Sequence, residues 1–227
     1  MSHQERFNGA SLEVTEVSFS DLLVPQLVGD ATKAKAKLNA FVAQLDLLPY
    51  LEAEPSQHFN WPGHPTLICK IRAGIWQTER LRETKDGRLT FPDPSQHFDV
   101  HFELQVLQRT SHMALYLHYE TNPYFSAAKL RSRADGGSLE QYYDLRNDFV
   151  REFTALGEVP GFRLSPGIVQ IGKAEYDFSG KTVAEVAAWL QPVIDEVACR
   201  VNEAFFNVEI RRRIVAQSPT NDFRFRQ

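Results

Sequence analysis

Cysteine is scarce in this chain, and a long apolar run is missing from it. The two cysteines, Cys69 and Cys199, lie far apart without CxxC spacing, which disfavours a zinc ribbon. We expect both to be buried free thiols in a reducing compartment. No stretch approaches the roughly 20 apolar residues of a membrane span, and the polar start has no signal-peptide core. These absences predict a soluble cytoplasmic protein with no membrane partner.

Several catalytic and nucleotide-binding motifs are missing as well. The chain has no Walker loop, no GxGxxG after a strand, no GxSxG elbow and no HExxH pair. Nucleotide kinases, Rossmann dehydrogenases and α/β-hydrolases are therefore disfavoured. The formal net charge of −4 argues against a general attraction to nucleic acid, so only a local basic patch could provide one.

The 227 residues, 43% of them hydrophobic, suffice for one large domain. Hydrophobic periodicity and turn signals predict helices from Asp30 or Thr32 to near Pro49, at 138–157 and at 181–206. They predict strands at 66–71, 75–84, 88–91, 98–106, 113–120, 162–164 and 168–173, with a loop at 54–65. This order predicts an α+β fold, a mostly antiparallel sheet with helices packed on one face as a two-layer sandwich.

The same patterns predict how the chain is organised. We expect residues 1–30 to form a flexible or irregular N-terminal segment. Residues 31–208 would form a single α+β domain, and residues 209–227 a basic C-terminal extension.

What the chain does contain is histidine concentrated in one region, because six of its seven histidines fall between His58 and His118. The runs 98–106 and 113–120 alternate between apolar and polar residues, as half-buried strands do. Pairing Val106 with Met113 would place His101 directly opposite His118. The same register would place Asp99 opposite Glu120 and Glu103 opposite Tyr116.

This polar face is a candidate metal or catalytic site, because directly opposed β-carbons lie about 5 Å apart. Two imidazoles and a carboxylate could converge on one divalent ion such as Mn, Zn or Mg. The predicted ligands are His101, His118 and Glu103, and the predicted catalytic groups are Glu103, Asp99 and Tyr116. The loop before strand 66–71 could cover the face, with His58, Trp61 and His64 as its wall.

The simpler interpretation is a solvated sheet surface, since a sheet covered by helices on one face leaves the other face wet. On that interpretation, which we favour from the sequence, the protein is a binding or interaction protein without catalysis. It would use the polar face of the 97–120 hairpin to bind an unknown protein partner or a second copy of itself. A divalent-metal-dependent hydrolase is the alternative.

One form of this hydrolase would be a divergent nuclease. The succession of a helix, three strands, a helix and a strand resembles the core of the PD-(D/E)XK nuclease superfamily, with Pro92-Asp93 and Glu103-Leu104-Gln105 at the matching positions. The resemblance implies an acidic pair that binds Mg²⁺. The chain departs from that pattern at Gln105, where the superfamily has a lysine.

A third interpretation is a nucleic-acid binder that uses the basic C-terminal tail, because basic residues suggest contact with nucleic acid or a protein partner. They lie in a glycine-containing loop and near the C-terminus: Arg131, Arg133, Arg211, Arg212 and Arg213. The alternation of arginine and phenylalanine in residues 222–226 would suit base stacking. A solvated helix end followed by a disordered tail is the simpler explanation, and we favour it.

Overall fold

The computed structural model describes residues 18–20, 30–61, 64–76, 82–83, 89–90, 99–107, 111–120, 137–167 and 169–217. Within these ranges, side chains are not described at 60–65, 82–83, 89–90, 137–145 and 209–217. In the described part of the chain there are three helices: α1 (Ala31–Val42), α2 (Gly137–Ala155) and α3 (Val183–Gln217).

The strands form a large antiparallel sheet and a small separate hairpin. They are β1 (Leu51–Ala53), β2 (Gln57–Trp61), β3 (His64–Ala73), β4 (Arg82–Glu83), β5 (Leu89–Thr90), β6 (Asp99–Leu107), β7 (His112–Glu120), β8 (Arg163–Leu164) and β9 (Gln170–Asp177). The main sheet has the order β1-β3-β6-β7-β9-β8, and β2 pairs with β3 beside β1. The mixed α+β class and the antiparallel sheet are therefore confirmed.

The register of the histidine-bearing hairpin is also confirmed. Val106 pairs with Met113, and the ladder continues without a shift to Asp99 and Glu120. Strict alternation sets this register, because a slip by one residue would move every apolar side chain to the other face.

The sheet and the helices contribute to one hydrophobic core. Leu104 and Leu115 from the two central strands belong to it and are fully buried. Tyr119 of β7 contacts Phe149 of α2, with ring centroids 5.3 Å apart. Trp76, after β3, donates a hydrogen bond to Asn202 of α3. The packing of all the helices on one face stays a prediction, as does the division into domains.

The helix ends follow from capping chemistry. The Asp30 carboxylate accepts hydrogen bonds from the backbone of Thr32 and Lys33, which makes Asp30 the N-cap of α1. Thr182 and Glu185 form a capping box before α3, each side chain accepting from the backbone N–H of the other.

Several local predictions were wrong. Residues 75 and 76, predicted to begin a strand, lie in a short 3-10 helix (Gly74–Trp76). Residues 54–65 are not a loop throughout, because β2 pairs with β3 from Gln57 to Trp61. The flanking prolines bracket this strand without interrupting it, so proline content alone was misleading. Helix α1 ends at Val42 and not near Pro49, and α3 continues to Gln217, well past residue 206.

The two cysteines differ from each other. Both are free, as predicted, but only Cys69 is buried, whereas Cys199 is exposed. The pattern placed Cys199 on the buried side of α3, where its neighbours Val197 and Ala198 do lie. A helix turns by about 100° per residue, so Cys199 falls beyond the edge of that narrow stripe.

Candidate functional site: a buried histidine and carboxylate cluster

The polar face of β6 and β7 lies in the middle of the sheet, between β3 and β9. His101 pairs with His118 and Glu103 with Tyr116 across the β6–β7 ladder. On the other side of β6, Lys70 of β3 pairs with Glu103. The residues on this face are therefore brought together by backbone pairing across three strands.

This face is buried, so the interpretation of it as a solvated surface is wrong at these positions. His101 is 0% exposed and Glu103 is 9% exposed. The five consecutive residues 100–104 are all buried, which means that both faces of β6 are covered there. Alternation of polar and apolar residues reveals which side chains share a face, but it does not reveal whether that face meets water.

Glu103 lies at the centre of the cluster. Its Oε1 atom is 3.5 Å from His101 Nε2 and 3.6 Å from His118 Nδ1. Lys70 Nζ is 3.6 Å from the same oxygen. Its other oxygen, Oε2, accepts a hydrogen bond from Gln105 Nε2 at 3.0 Å. Three nitrogen atoms from three strand positions therefore converge on one carboxylate oxygen.

Asp99 lies behind His101, on the opposite side of the ring from Glu103. Its Oδ1 atom is 3.3 Å from His101 Nδ1, a distance at which the ring N–H can donate. Arg72 Nη1 is 3.5 Å from the other oxygen of Asp99. With its proton on Nδ1, a neutral His101 carries its lone pair on Nε2, the atom that faces Glu103.

Two of the converging nitrogen atoms lack hydrogen-bond partners within the described chain. These are His101 Nε2 and His118 Nδ1, both completely buried. A buried polar atom without a partner is costly, and such an atom calls for an explanation. A cation bound between these nitrogens and Glu103 would supply the partner for both.

The pKa values of His101 and Glu103 also indicate that positive charge is stabilised in the cluster. Burial opposes the charged form of His101, but the carboxylates of Asp99 and Glu103 outweigh it and raise the pKa of His101 to about 8. Burial likewise opposes the ionised form of Glu103. Its neighbours His101, His118 and Lys70 outweigh that effect and hold the pKa of Glu103 well below its usual range.

The distances from Glu103 Oε1 to the two imidazole nitrogens have the size expected between ligands of one metal ion. His101, Glu103, His118 and Glu120 each offer one ligand atom, and these atoms all lie within 4.8 Å of one another. Ligands about 2.0–2.2 Å from a tetrahedral ion lie roughly 3.3–3.6 Å apart, close to the separations around Glu103. Glu120 was not among the predicted ligands, although its predicted pairing with Asp99 already placed it on the same face as His118.

The remaining predicted site residues are placed as follows. Tyr116 shares the face, with its ring centroid 5.7 Å from that of His118. His58 pairs with Leu67, a fully buried core residue, so the register assigns His58 to the opposite face of the sheet from His101. It is therefore not brought to the cluster.

Trp61 and His64 pair with each other at the far end of β3. Thr66, two residues after His64, pairs with Leu107, which lies six residues along β6 from His101. The register thus places this end of the β2–β3 hairpin away from the cluster. The side chains of Trp61 and His64 are outside the described residues.

The basic residues proposed for nucleic-acid or partner contact cannot be placed against the cluster. Arg131 and Arg133 lie outside the described residues, as does Asp93 of the nuclease-like pattern. Arg211, Arg212 and Arg213 belong to the last turns of α3, and their side chains are not described. Their predicted roles stay predictions.

The sequence analysis missed two cations on β3. Lys70 and Arg72 interrupt a strand that reads as almost continuously apolar. A charged residue in a central strand needs a partner, and this was the available signal. Lys70 approaches Glu103 and Glu120, and Arg72 forms ion pairs with Glu54 and Asp99.

Comparison with protein-family models, with curated proteins and with solved structures finds no match for this chain. In the described part of the chain, no helix is both long enough and apolar enough to cross a membrane.

Proposed function

We propose that the polar face of β6 and β7 binds one divalent metal ion and that the protein is a metal-dependent hydrolase. The observation that carries this proposal is the convergence of two buried, unpartnered imidazole nitrogens on one oxygen of Glu103. An exposed docking surface is a poorer fit at the centre of this face, because His101 and Glu103 are buried there.

The charge balance of the face favours a bound cation. Three carboxylates, Asp99, Glu103 and Glu120, face two cations, Lys70 and Arg72, and Arg72 is additionally paired with Glu54. The cluster therefore needs one further positive charge, which a bound ion would supply with the histidines neutral and which a proton on His101 supplies without an ion. A donor set of two imidazoles and two carboxylates suits Zn²⁺, Mn²⁺ or Fe²⁺ better than Mg²⁺, which prefers oxygen ligands.

The surrounding residues have separate roles in this proposal. His101, His118, Glu103 and Glu120 hold the ion. Asp99 fixes the tautomer and orientation of His101, as carboxylates behind metal-binding histidines commonly do. An ion that takes five or six ligands, such as Mn²⁺ or Fe²⁺, would keep a position for water beside these four protein ligands, whereas a tetrahedral ion would not. Such an ion would lower the pKa of that water and so supply a nucleophile for hydrolysis at neutral pH.

Metal binding is tested by calorimetric titration of Mn²⁺ and Zn²⁺ into chelator-treated protein, with melting temperatures measured in parallel. At about a hundred times its dissociation constant, an ion that binds only the folded state adds roughly 2.7 kcal/mol of stability. We expect this stabilisation in the wild type and its loss in His118→Ala.

His112→Ala is the matched control. His112 lies on the same strand and the same face as His118, but it is exposed and lies outside the cluster. Circular dichroism establishes that each variant folds. Equal metal affinity in wild type, His118→Ala and His112→Ala would refute the proposal, as would the absence of any binding to the folded wild type.

The hydrolase class itself is tested on chelator-treated and Mn²⁺-loaded protein with a panel of phosphate and carboxylate esters. We expect turnover that depends on the metal and is lost in His118→Ala. Tight metal binding without turnover of any ester would make this a structural metal site.

A further inference from the structure

A cavity opens beside the cluster on the β3 side. It encloses about 320 Å³, and Glu103 is part of its wall. Lys70 and Arg72 line the same cavity, as do the apolar side chains of Pro55, Phe59 and Ile68. The volume is at the lower end of the range for small-molecule sites, about 300–1,000 Å³.

Lys70 connects this cavity to the cluster. Its ammonium group is 3.6 Å from Glu103 Oε1 and 4.0 Å from Glu120 Oε2. Both distances exceed the usual hydrogen-bond limit of about 3.2 Å, so neither contact uses an N–H donor of Lys70 at full strength. Arg72 differs, because it is committed to ion pairs with Glu54 and Asp99.

The two carboxylates nearest Lys70 are also two of the four proposed metal ligands. When a divalent ion neutralises Glu103 and Glu120, Lys70 loses its partners in the cluster. The Lys70 side chain is about a quarter exposed and lines the cavity, so its ammonium would then have donors available for an incoming anion.

We propose that this cavity binds the oxyanionic group of a small substrate, a phosphate or a carboxylate, between the metal ion and Lys70. The inference rests on the proposed metal site. The apolar wall formed by Pro55, Phe59 and Ile68 would contact the organic part of the same molecule. Arg72 acts by keeping Asp99 and Glu54 in place.

The test begins with Mn²⁺ alone, titrated into wild type, Lys70→Met and Lys173→Met. Lys173 is the matched control, since it lies on the same face in β9 and is paired with Glu175 outside the cavity. Inorganic phosphate and acetate are then titrated into each protein with and without saturating Mn²⁺. Phosphate and acetate are separate arms, which distinguish the two kinds of oxyanion.

We expect at least one anion to bind the Mn²⁺-loaded wild type. Its affinity for Lys70→Met should be about tenfold lower, a loss of the size expected when a hydrogen bond to a charged group is removed. Lys173→Met should match the wild type, and Lys70→Arg should restore most of the affinity. This inference would be overturned if the anion bound equally well with and without Mn²⁺, or if its affinity for Lys70→Met equalled that for the wild type. Either result would leave the proposed metal site untouched. Failure of Mn²⁺ itself to bind would overturn the proposed function, and the inference with it.

Discussion

His101 and His118 lie directly opposite each other across β6 and β7, with ring centroids 5.7 Å apart and ring planes inclined at 75°. The inclination allows one nitrogen of each ring to approach Glu103 Oε1 without the rings stacking. Because each histidine belongs to a different strand of a regular ladder, the distance between them is set by the backbone.

Replacing Asp99 should weaken metal binding although Asp99 is not a proposed ligand. Asp99→Asn removes the carboxylate that fixes the His101 tautomer. Replacing the partner that orients a metal-binding histidine typically lowers metal affinity about 10–100-fold. We expect a loss in that range, measured by competition with a chelator of known affinity.

Asp177→Asn is the control for this substitution. Asp177 is the exposed last residue of β9, and it pairs with His112 outside the cluster. Comparable losses in both variants would indicate a general charge effect, and the orienting role of Asp99 would then be rejected.

The metal-free protein should lose stability as the pH rises through neutrality. The pKa of His101 is about 8 in the folded protein and about 6.5 in an unfolded chain. The stabilisation of the folded protein by protonated His101 is therefore fully present below pH 6.5 and is lost as the pH rises through 8. A difference of this size corresponds to about 2 kcal/mol.

The measurement is urea unfolding in the presence of chelator at pH 6, 7, 8 and 9, for wild type and His101→Gln. The charged groups that face His101 are Asp99, Glu103, His118 and Lys70, and all of them are retained in the variant. The stability advantage of the wild type should shrink as the pH rises. An advantage that grows with pH would contradict the assigned direction.

The two thiols should differ sharply in reactivity. Burial raises the pKa of Cys69 to about 11, so this thiol stays protonated and enclosed at neutral pH. Cys199 is exposed on α3. We expect maleimide to label Cys199 in the native protein and Cys69 only after unfolding.

Peptide mass spectrometry of samples quenched over time distinguishes the two sites, and Cys199→Ser isolates the reaction of Cys69. Native labelling of Cys69 at a rate like that of Cys199 would show that β3 opens readily. That outcome would contradict its burial in the centre of the sheet.

The sequence predicts the contacts that depend on the alternation of polar and apolar residues. It does not predict the burial of a residue, because burial depends on the elements that pack around it. The facing of His101 and His118 follows from period-two patterning and one anchored pair, Val106 with Met113. Burial of His101 does not follow, because alternation distinguishes faces but carries no information on what covers them. Lys70 joins the cluster only through the pairing of β3 with β6, a contact between segments distant in sequence.

The same limit explains the prediction of a loop at 54–65. Residues 57–61 show no clear apolar period, and they become a strand because the edge of β3 offers them backbone partners. Asp30, one of the two residues predicted to begin α1, is its N-cap, and it could be proposed from sequence because a cap depends only on residues within one turn of helix.

The register of β9 against β7 shifts between Leu117 and His118. A bulge of this kind bends one strand locally and increases its twist. His118 is thus held by a regular ladder along one edge of its strand and by an irregular one along the other. Inserting or deleting one residue in the segment before Ile171 should therefore tilt the His118 ring and leave its pairing with His101 unchanged. This edge of β7 is thus the position at which the metal preference of the proposed site could be altered while the site itself is retained.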